Sequence, residues 1–188
     1  MKKTLTMIVA LGGASLLTSG ALAAEVLVSG TIATSTTWTK NNTYNLQGQV
    51  FVLPGATLTI QPGTVIASDA GGALAITRGA RINAVGTQQE PIIFTSKQDV
   101  ATWTGGNPKT GTWRPVCNEW GNLTIMGRAY ISENAVAANT PAPNANNVAA
   151  MEGLVGQSAS DPNVLYGGGD DLDSSGTLAF CSFLIDCR

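Results

Sequence analysis

Residues 50–65 contain the same eight-residue pattern twice, VFVLPGAT followed at once by LTIQPGTV. Each copy has the pattern apolar-x-apolar-x before Pro-Gly, and apolar residues at every second position are typical of a short strand with one buried face. Each copy then has Pro-Gly, where Pro fixes φ at the second turn position and Gly supplies the positive φ of the third. Short strands joined by tight turns leave two candidate architectures, a meander of hairpins and a solenoid.

Further copies of the pattern favour the solenoid. Residues 74–82 (LAITRGARI) align with residues 58–66 (LTIQPGTVI) at an offset of sixteen, and residues 120–127 (WGNLTIMG) repeat Leu-x-Ile-x-Gly. Recurrent apolar ladders with tight turns indicate coils in which each strand pairs with its counterpart one turn above. We predict inward-facing ladders, with like stacked on like, that include Leu58, Ile60, Leu74, Ile76, Leu123 and Ile125.

The same patterns give a map of the elements. Strands are predicted over residues 26–32, 44–53, 58–60, 65–67, 74–76, 82–84, 92–94, 123–125, 128–131 and 177–185. Polar, Gly-, Ala- and Asn-rich composition predicts long loops over residues 96–119 and 134–148 and a turn over 165–175. No helix with a convincing 3.6-residue period follows the N-terminal residues.

The N-terminal residues have the features of a secretory signal peptide. Lys2 and Lys3 precede the largely apolar residues 7–17, and Ala21-Leu22-Ala23 fits a small-x-small cleavage site. The alternative is an uncleaved anchor or a buried helix, although the apolar run is short for a membrane span. We predict a signal peptide over residues 1–23 and a mature domain over 24–188, secreted or held at the cell surface, with no further transmembrane span.

Charge and cysteine content narrow the classes of partner. Charged residues are only 12% of the 188-residue chain, and loss of Lys2 and Lys3 would leave 8 basic against 12 acidic residues. An acidic chain without a basic cluster is a poor candidate for binding nucleic acid or anionic membrane. An exported compartment would allow one disulfide among Cys117, Cys181 and Cys187, and the pairing stays open.

Four segments resemble a known family. LPGATLTIQPGTVI, GTQQEPIIFTS, WGNLTIMGRA and YGGGDDLDSSGTL resemble successive pieces of secreted bacterial right-handed parallel β-helix proteins, which are often surface-associated and mostly without assigned activity. The resemblance covers about residues 28–180 and implies an all-β, right-handed, single-stranded parallel β-helix. Because such proteins continue for many further coils, it also predicts that residues 24–188 are the N-terminal fragment of a longer protein.

The chain contains no His, which removes Ser-His-Asp and Cys-His catalysis and a His general base. Parallel β-helices include pectate lyases and polygalacturonases, and Asp170-Asp171 resembles the paired aspartates of the latter. The Gly-His-Gly element of polygalacturonases is impossible here, and nothing in the sequence places an Arg or Lys base beside Asp170. We therefore predict that the protein is not an enzyme, with a polysaccharide lyase or hydrolase as the alternative.

The best local candidate for a metal site is the segment GGGDDLDSSG over residues 167–176. Its oxygen ligands match the first half of a calcium loop, whereas the position of the bidentate Glu is Ser182. The alternative is an Asx turn whose Asp side chains bind backbone N–H groups. The tentative calcium ligands are Asp170, Asp171, Asp173 and Ser175.

Two tryptophans of the first long loop, Trp103 and Trp113, are candidate ligand-binding residues, because aromatic rings can stack on sugars. The alternative is that they pack the loop onto the coil, as amphipathic aromatics usually do. Trp120, at a predicted strand start, is expected at the edge of the core. Together these features predict an exported structural or adhesive scaffold that presents loops to a surface glycan or protein. The alternative is a carbohydrate-active module, either enzyme or glycan binder.

Overall fold

A computed structural model describes residues 23–112, 114, 119–134, 142–158 and 160–184. Strands dominate the described residues, and the single α-helix among them is the one-turn α1 (Lys97–Val100). The strands are β1 (Ala24–Ile32), β2 (Thr36–Trp38), β3 (Asn42–Val52), β4 (Thr57–Ile60), β5 (Val65–Ser68), β6 (Ala73–Ile76), β7 (Arg81–Val85), β8 (Ile92–Ser96), β9 (Asn122–Ile125), β10 (Val148–Ala150), β11 (Leu165–Gly167), β12 (Gly176–Ala179) and β13 (Cys181–Leu184).

The Pro-Gly pairs form turns between strands that do not pair with each other. Gly55 and Gly63 have φ values of 86° and 75°, as the third position of a type II turn requires. The Ala56 N–H donates to the Leu53 carbonyl at 3.0 Å across the first of these turns. Strand β4, which lies between the two turns, pairs in parallel with β2 and β7. The meander of hairpins is therefore excluded.

The coils have three sides, each a parallel sheet. On the first side the order is β1, β3, β5, β8 and β13, and on the third side it is β2, β4, β7 and β12. Strand β3 bends near Gly48, which has φ 76°, so that its first half pairs with β5 and its second half with β6. The second side thus continues from β3 through β6 to β9. The chain is an all-β parallel β-helix, as predicted.

Apolar side chains fill the space between the three sides. Leu58, Ile60, Leu74 and Ile76 are buried in one cluster, which confirms four of the predicted inward positions. Leu123 is partly buried against this cluster. Ile125 was predicted to be buried and is 37% exposed, because β9 is the last strand on its side among the described residues. Trp120 is buried as part of the cluster.

The overlay of residues 58–66 on residues 74–82 does not mark one turn of the stack. Leu58 pairs with Ile82 on the third side, whereas Leu74 pairs with Val50 and Leu123 on the second. Each side of the coil uses the same strand-and-turn pattern, so two segments can match in sequence and still lie on different sides. The expectation that like stacks on like at this offset is therefore wrong.

Three predicted elements differ in the structure. Residues 128–131 form no strand, and their one pairing is the isolated bridge between Tyr130 and Gly168. The predicted strand over residues 177–185 is divided between β12 and β13 by Phe180, whose φ of 49° turns the chain from the third side to the first. The predicted turn over residues 165–175 begins with β11, which pairs antiparallel with β10.

Two long insertions leave the stack. The first insertion (residues 97–121) separates β8 from β9, and the second insertion (residues 126–175) separates β9 from β12. The predicted loop over residues 96–119 contains α1 and two short 3₁₀ turns, Thr104–Gly106 and Pro108–Thr110. Among the described residues, no helix has the length and apolar character needed to span a membrane.

Candidate ligand-binding groove

The first insertion folds back over the first side of the stack and is held by side-chain hydrogen bonds. Ser96 caps α1 by accepting a hydrogen bond from the Asp99 N–H at 3.0 Å. The Thr102 hydroxyl donates to the Asp99 carbonyl at 2.8 Å and accepts from the Thr112 N–H at 3.0 Å. These local bonds give the insertion a defined shape where the sequence predicted only a loop.

Trp103 anchors this insertion. Its side chain is only 8% exposed, and its indole Nε1 is buried without a hydrogen-bond partner. A Cβ at Gly111 would lie 2.9 Å from that nitrogen, so the glycine allows the ring to sit where it does. Trp103 is thus mostly buried, as the packing alternative expects, and it also lines a groove, so its role in binding a ligand stays a prediction.

A groove of about 670 Å³ lies between the first insertion and the first side of the stack. Its floor is a single outward-facing ladder, in which four parallel strands contribute one residue each at the same register. These residues are Thr43 of β3, Val65 of β5, Ile93 of β8 and Ser182 of β13. Neighbouring residues along the strands, such as Ile66 and Phe94, point to the opposite face and lie in the core.

The two walls of the groove differ in character. One wall belongs to the first insertion and consists of Val100, Trp103, Gly105, Gly106, Pro108 and Lys109. The other wall comes from turns at the corner of the coil, with Lys40, Gly63 and Gln89, Glu90 and Pro91. Aliphatic and proline surface at the bottom with polar groups at the rim is the usual composition of a ligand-binding site.

Three charged side chains line the groove in the part of the chain that the structure describes. The Lys40 Nζ lies 2.6 Å from the Glu90 Oε1, and both side chains are about half exposed. Lys109 on the opposite wall has no ion-pair partner among the described residues. Glu90 is the one carboxylate among the described lining residues. Within the described part of the lining, the rim therefore carries a positive balance and its one carboxylate is already paired.

The first insertion is closed at its base by Glu119. This carboxylate accepts two hydrogen bonds from Arg114, at 3.0 and 2.6 Å, and one from the Ser96 hydroxyl at 2.6 Å. The Arg114 bonds lower the pKa of Glu119 below its ordinary value, and the Ser96 bond adds to this against the opposing effect of burial. Ser96 ends β8 and Glu119 precedes β9, so the bond joins the two ends of the insertion.

The acidic turn of the second insertion lies apart from the groove and is engaged by its own chain. The Asp173 Oδ2 accepts from the Arg128 N–H at 2.9 Å, and its Oδ1 accepts from the Arg128 Nε at 3.0 Å. The Asp171 Oδ1 accepts from the Tyr130 N–H at 2.8 Å, and the Asp170 Oδ1 accepts from the Leu172 N–H at 3.2 Å. Backbone donors and one guanidinium thus hold all three carboxylates.

This arrangement bears on the tentative calcium site. Within the part of the chain that the structure describes, no group of three or more acidic or cysteine side chains is arranged to hold a metal ion. Among the tentative ligands Asp170, Asp171, Asp173 and Ser175, the first and third would have to release Arg128, and Asp171 would have to release the Tyr130 N–H, before their oxygens could converge on a cation. Calcium binding at these residues stays a prediction.

Three residues singled out from the sequence, Trp113, Cys117 and Cys187, lie outside the described residues. Cys181 is a free thiol, and its Sγ lies 3.5 Å from the Ala84 carbonyl oxygen. Burial raises the pKa of this thiol, since the charged thiolate loses solvation there. Cys181 thus lies partly buried at the margin of the core, and its pairing with Cys117 or Cys187 stays open.

Comparison with known families agrees with the β-helix fold. The family model of the pectate-lyase-like β-helix domain matches residues 30–183, from within β1 to within β13. The chain belongs to this family. No curated protein and no solved structure matches it. Within the pectate-lyase-like β-helix family, the domain is compatible with a carbohydrate-active role or with a surface role.

Sequence reasoning missed the groove of this pectate-lyase-like β-helix. Its floor residues are spaced irregularly along the chain, because the coils between them contain insertions of different length. A usable signal was present in PIIFTS over residues 91–96, where apolar residues do not alternate. A strand that is apolar on both faces must have its outer face covered, and here the first insertion covers it.

Proposed function

We propose that the protein is an exported, non-catalytic scaffold that holds a ligand in this groove and so has an adhesive role at or beyond the cell surface. The observation that supports this most is the groove itself, built on the outward ladder of Thr43, Val65, Ile93 and Ser182 and walled by the first insertion. A rigid parallel stack keeps such a surface in a fixed shape, which lowers the entropy cost of binding.

The charges of the groove favour binding over catalysis. Glycoside hydrolysis needs two carboxylates on either side of the scissile bond. Among the described lining residues Glu90 is the only carboxylate, and it is ion-paired with Lys40. A lyase needs a free base beside a cluster of cations. Among the described lining residues Lys109 is the one cation without a carboxylate partner, and a single lysine is not such a cluster.

The ligand that this proposal implies is a surface glycan or a protein segment of similar width. The test is binding of the protein to immobilised glycans and extracellular proteins, compared with two substitutions. Ser182→Trp would fill the groove from its floor, whereas Ser174→Trp places the same ring on the exposed acidic turn. We expect the Ser182 variant to lose binding and the Ser174 variant to keep it. Equal binding by both variants would refute the groove as the site.

The carbohydrate-active alternative has one observation in its favour, which is membership in the pectate-lyase-like family. It predicts release of reducing or unsaturated sugar ends from a polysaccharide panel, with and without calcium. Product formation that disappears in the Ser182→Trp variant would replace the scaffold by an enzyme acting in the same groove. We expect binding without product.

A further inference from the structure

The third side of the coil carries a regular outer face. One outward residue from each of its four strands, β2, β4, β7 and β12, is paired at the same register, and these residues are Thr37, Thr59, Asn83 and Thr177. Their neighbours along the strands, such as Leu58 and Ile82, lie in the core. We call the four outward residues the threonine ladder. Three of them are exposed, and Thr59 is half-buried.

The threonine ladder has no side-chain partner among the described residues. The other two sides of the stack are different, because each is covered by an insertion. On the second side the outward residue Ala75 is fully buried, and on the first side the outward residue Ile93 is 7% exposed. The hydroxyl groups and the amide of the ladder are therefore available to a partner outside the protein.

The stack sets the spacing of these groups. Neighbouring strands lie about 4.8 Å apart, and alternate residues along one strand lie about 6.7 Å apart. A second, shorter ladder of Thr57 and Arg81 runs beside the first at the larger interval. Both intervals are close to repeats of the oxygen lattice of ice. Because a solenoid is rigid, the groups need no ordering when they meet a regular surface.

The shape and chemistry of the face argue against other classes of partner. Small dissolved ligands bind in concave sites, whereas this face is an open sheet surface. Ionic minerals are bound by carboxylates, and Arg81 is the one charged side chain among the outward residues of β2, β4, β7 and β12. Sugar rings stack on aromatic rings, but the Trp38 ring of β2 is buried and stacked on Tyr44. An uncharged solid with regularly spaced hydrogen-bonding groups remains.

We propose that the third side binds the surface of ice through the threonine ladder. The hydroxyl groups of Thr37, Thr59 and Thr177 hydrogen-bond water molecules at intervals that fit the lattice, and the threonine methyl groups cover the space between them. Protein held on the surface hinders the growth of the crystal where it is attached. The groove lies on the first side of the stack, so this inference does not depend on the proposed function.

Three substitutions in the full chain test the proposal. Thr59→Lys puts a charge in the middle of the threonine ladder, and Thr31→Lys makes the same change at an exposed threonine of β1, outside the third side. Arg81→Thr removes the one charge of the face and extends the second ladder by a hydroxyl group. The measurement is the growth rate of ice grains in frozen sucrose solution, and circular dichroism shows that each variant is folded.

We expect the wild-type chain to slow grain growth at a concentration at which serum albumin does not. Thr59→Lys should require about tenfold more protein for the same effect, the factor for loss of one well-placed contact. Thr31→Lys should act like the wild type, and Arg81→Thr should act at a lower concentration. Ser182→Trp, which fills the groove, should leave the effect on ice unchanged.

Two results would overturn the inference. One is that the wild-type chain affects grain growth no more than albumin does. The other is that Thr59→Lys and Arg81→Thr both act like the wild type. If no form affects ice and the wild-type chain binds crystalline cellulose in a way that Thr59→Lys abolishes, the face belongs to a polysaccharide surface instead.

Discussion

The carboxylate of Asp173 accepts two hydrogen bonds from Arg128, one from its backbone N–H at 2.9 Å and one from its guanidinium Nε at 3.0 Å. Arg128 lies just after β9 and Asp173 just before β12, so this pair closes the second insertion at its base. Glu119 closes the first insertion in the same way, through Ser96. In each insertion, a carboxylate near the C-terminal end is thus hydrogen-bonded to a residue near the N-terminal end.

Removal of the Asp173 carboxylate should therefore loosen the second insertion. The side chain is 6% exposed and both of its oxygens are bonded, so Asp173→Ala leaves two donors without their acceptor. We expect the free energy of unfolding to fall by about 1.5–3 kcal/mol, the usual range for hydrogen bonds that involve a charged group. Denaturant unfolding gives the value.

Asp170→Ala is the matched control. Its carboxylate is 52% exposed and lies 3.7 Å from the Arg128 Nη2, and exposed pairs contribute at most about 1 kcal/mol. Equal losses from the two substitutions would contradict the closing role of Asp173.

The first insertion should open in acid. Because Arg114 and Ser96 lower the pKa of Glu119 in the folded protein, protonation favours the unfolded state. This contribution to stability is complete above the unfolded pKa of about 4.3 and is lost as pH falls through the lower folded value. We expect Glu119→Gln to reduce the dependence of the melting temperature on pH between about 5 and 3. Parallel pH profiles of the two proteins would show that Glu119 is not the group responsible.

Local patterns were enough to predict the coil, because the strands and turns are specified by adjacent residues. Pro-Gly at residues 54–55 and 62–63 and the apolar positions Leu58 and Leu74 all behave as expected. The stacking register depends instead on how many residues each whole turn contains, and insertions change that number from coil to coil. Similarity between short sequence segments therefore does not show which side of the stack each strand occupies.

The candidate site was harder to predict than the fold. The groove depends on a hydrogen-bonded insertion that covers Ile93, and no short pattern encodes that contact. The acidic turn was found from its spacing, but its nearest cation is Arg128, which lies 45 residues away from Asp173 along the chain. Such a pairing follows from the closure of the second insertion, which becomes visible only in three dimensions.

Disulfide trapping can test the register of the stack. Thr59 and Asn83 are paired in β4 and β7, and neighbouring strands lie about 4.8 Å apart, within the span of a disulfide. We expect Thr59→Cys with Asn83→Cys to form a crosslink in a background where Cys117, Cys181 and Cys187 are Ser. Thr59→Cys with Ala75→Cys, which follows the sixteen-residue offset, should not form one, since Ala75 pairs with Phe51 and Thr124. If only the second pair formed a crosslink, the pairing of β4 with β7 would be wrong.

Calcium titration separates the two interpretations of the acidic turn. The carboxylates of Asp171 and Asp173 already accept hydrogen bonds from Tyr130 and Arg128, so a cation would have to displace these donors. We expect equal heats for the wild-type protein and for Asp173→Asn at millimolar calcium, the range in which weak extracellular sites bind. Saturable heat in the wild-type protein that the substitution abolishes would establish a calcium site at this turn.

The position of Trp103 depends on the absence of a side chain at Gly111. A Cβ there would approach the indole Nε1 to 2.9 Å, while the backbone of Gly111, at φ −57°, accepts any residue without strain. Gly111→Ala should therefore displace the ring without disturbing the turn, and we expect acrylamide to quench tryptophan fluorescence more strongly. Thr112→Ala is the control, because Thr112 bonds Thr102 through its backbone N–H and that bond survives the change. The opposite result is that acrylamide quenches Gly111→Ala no more than the control and that the variant still binds the groove ligand. Trp103 would then neither anchor the insertion nor shape the groove.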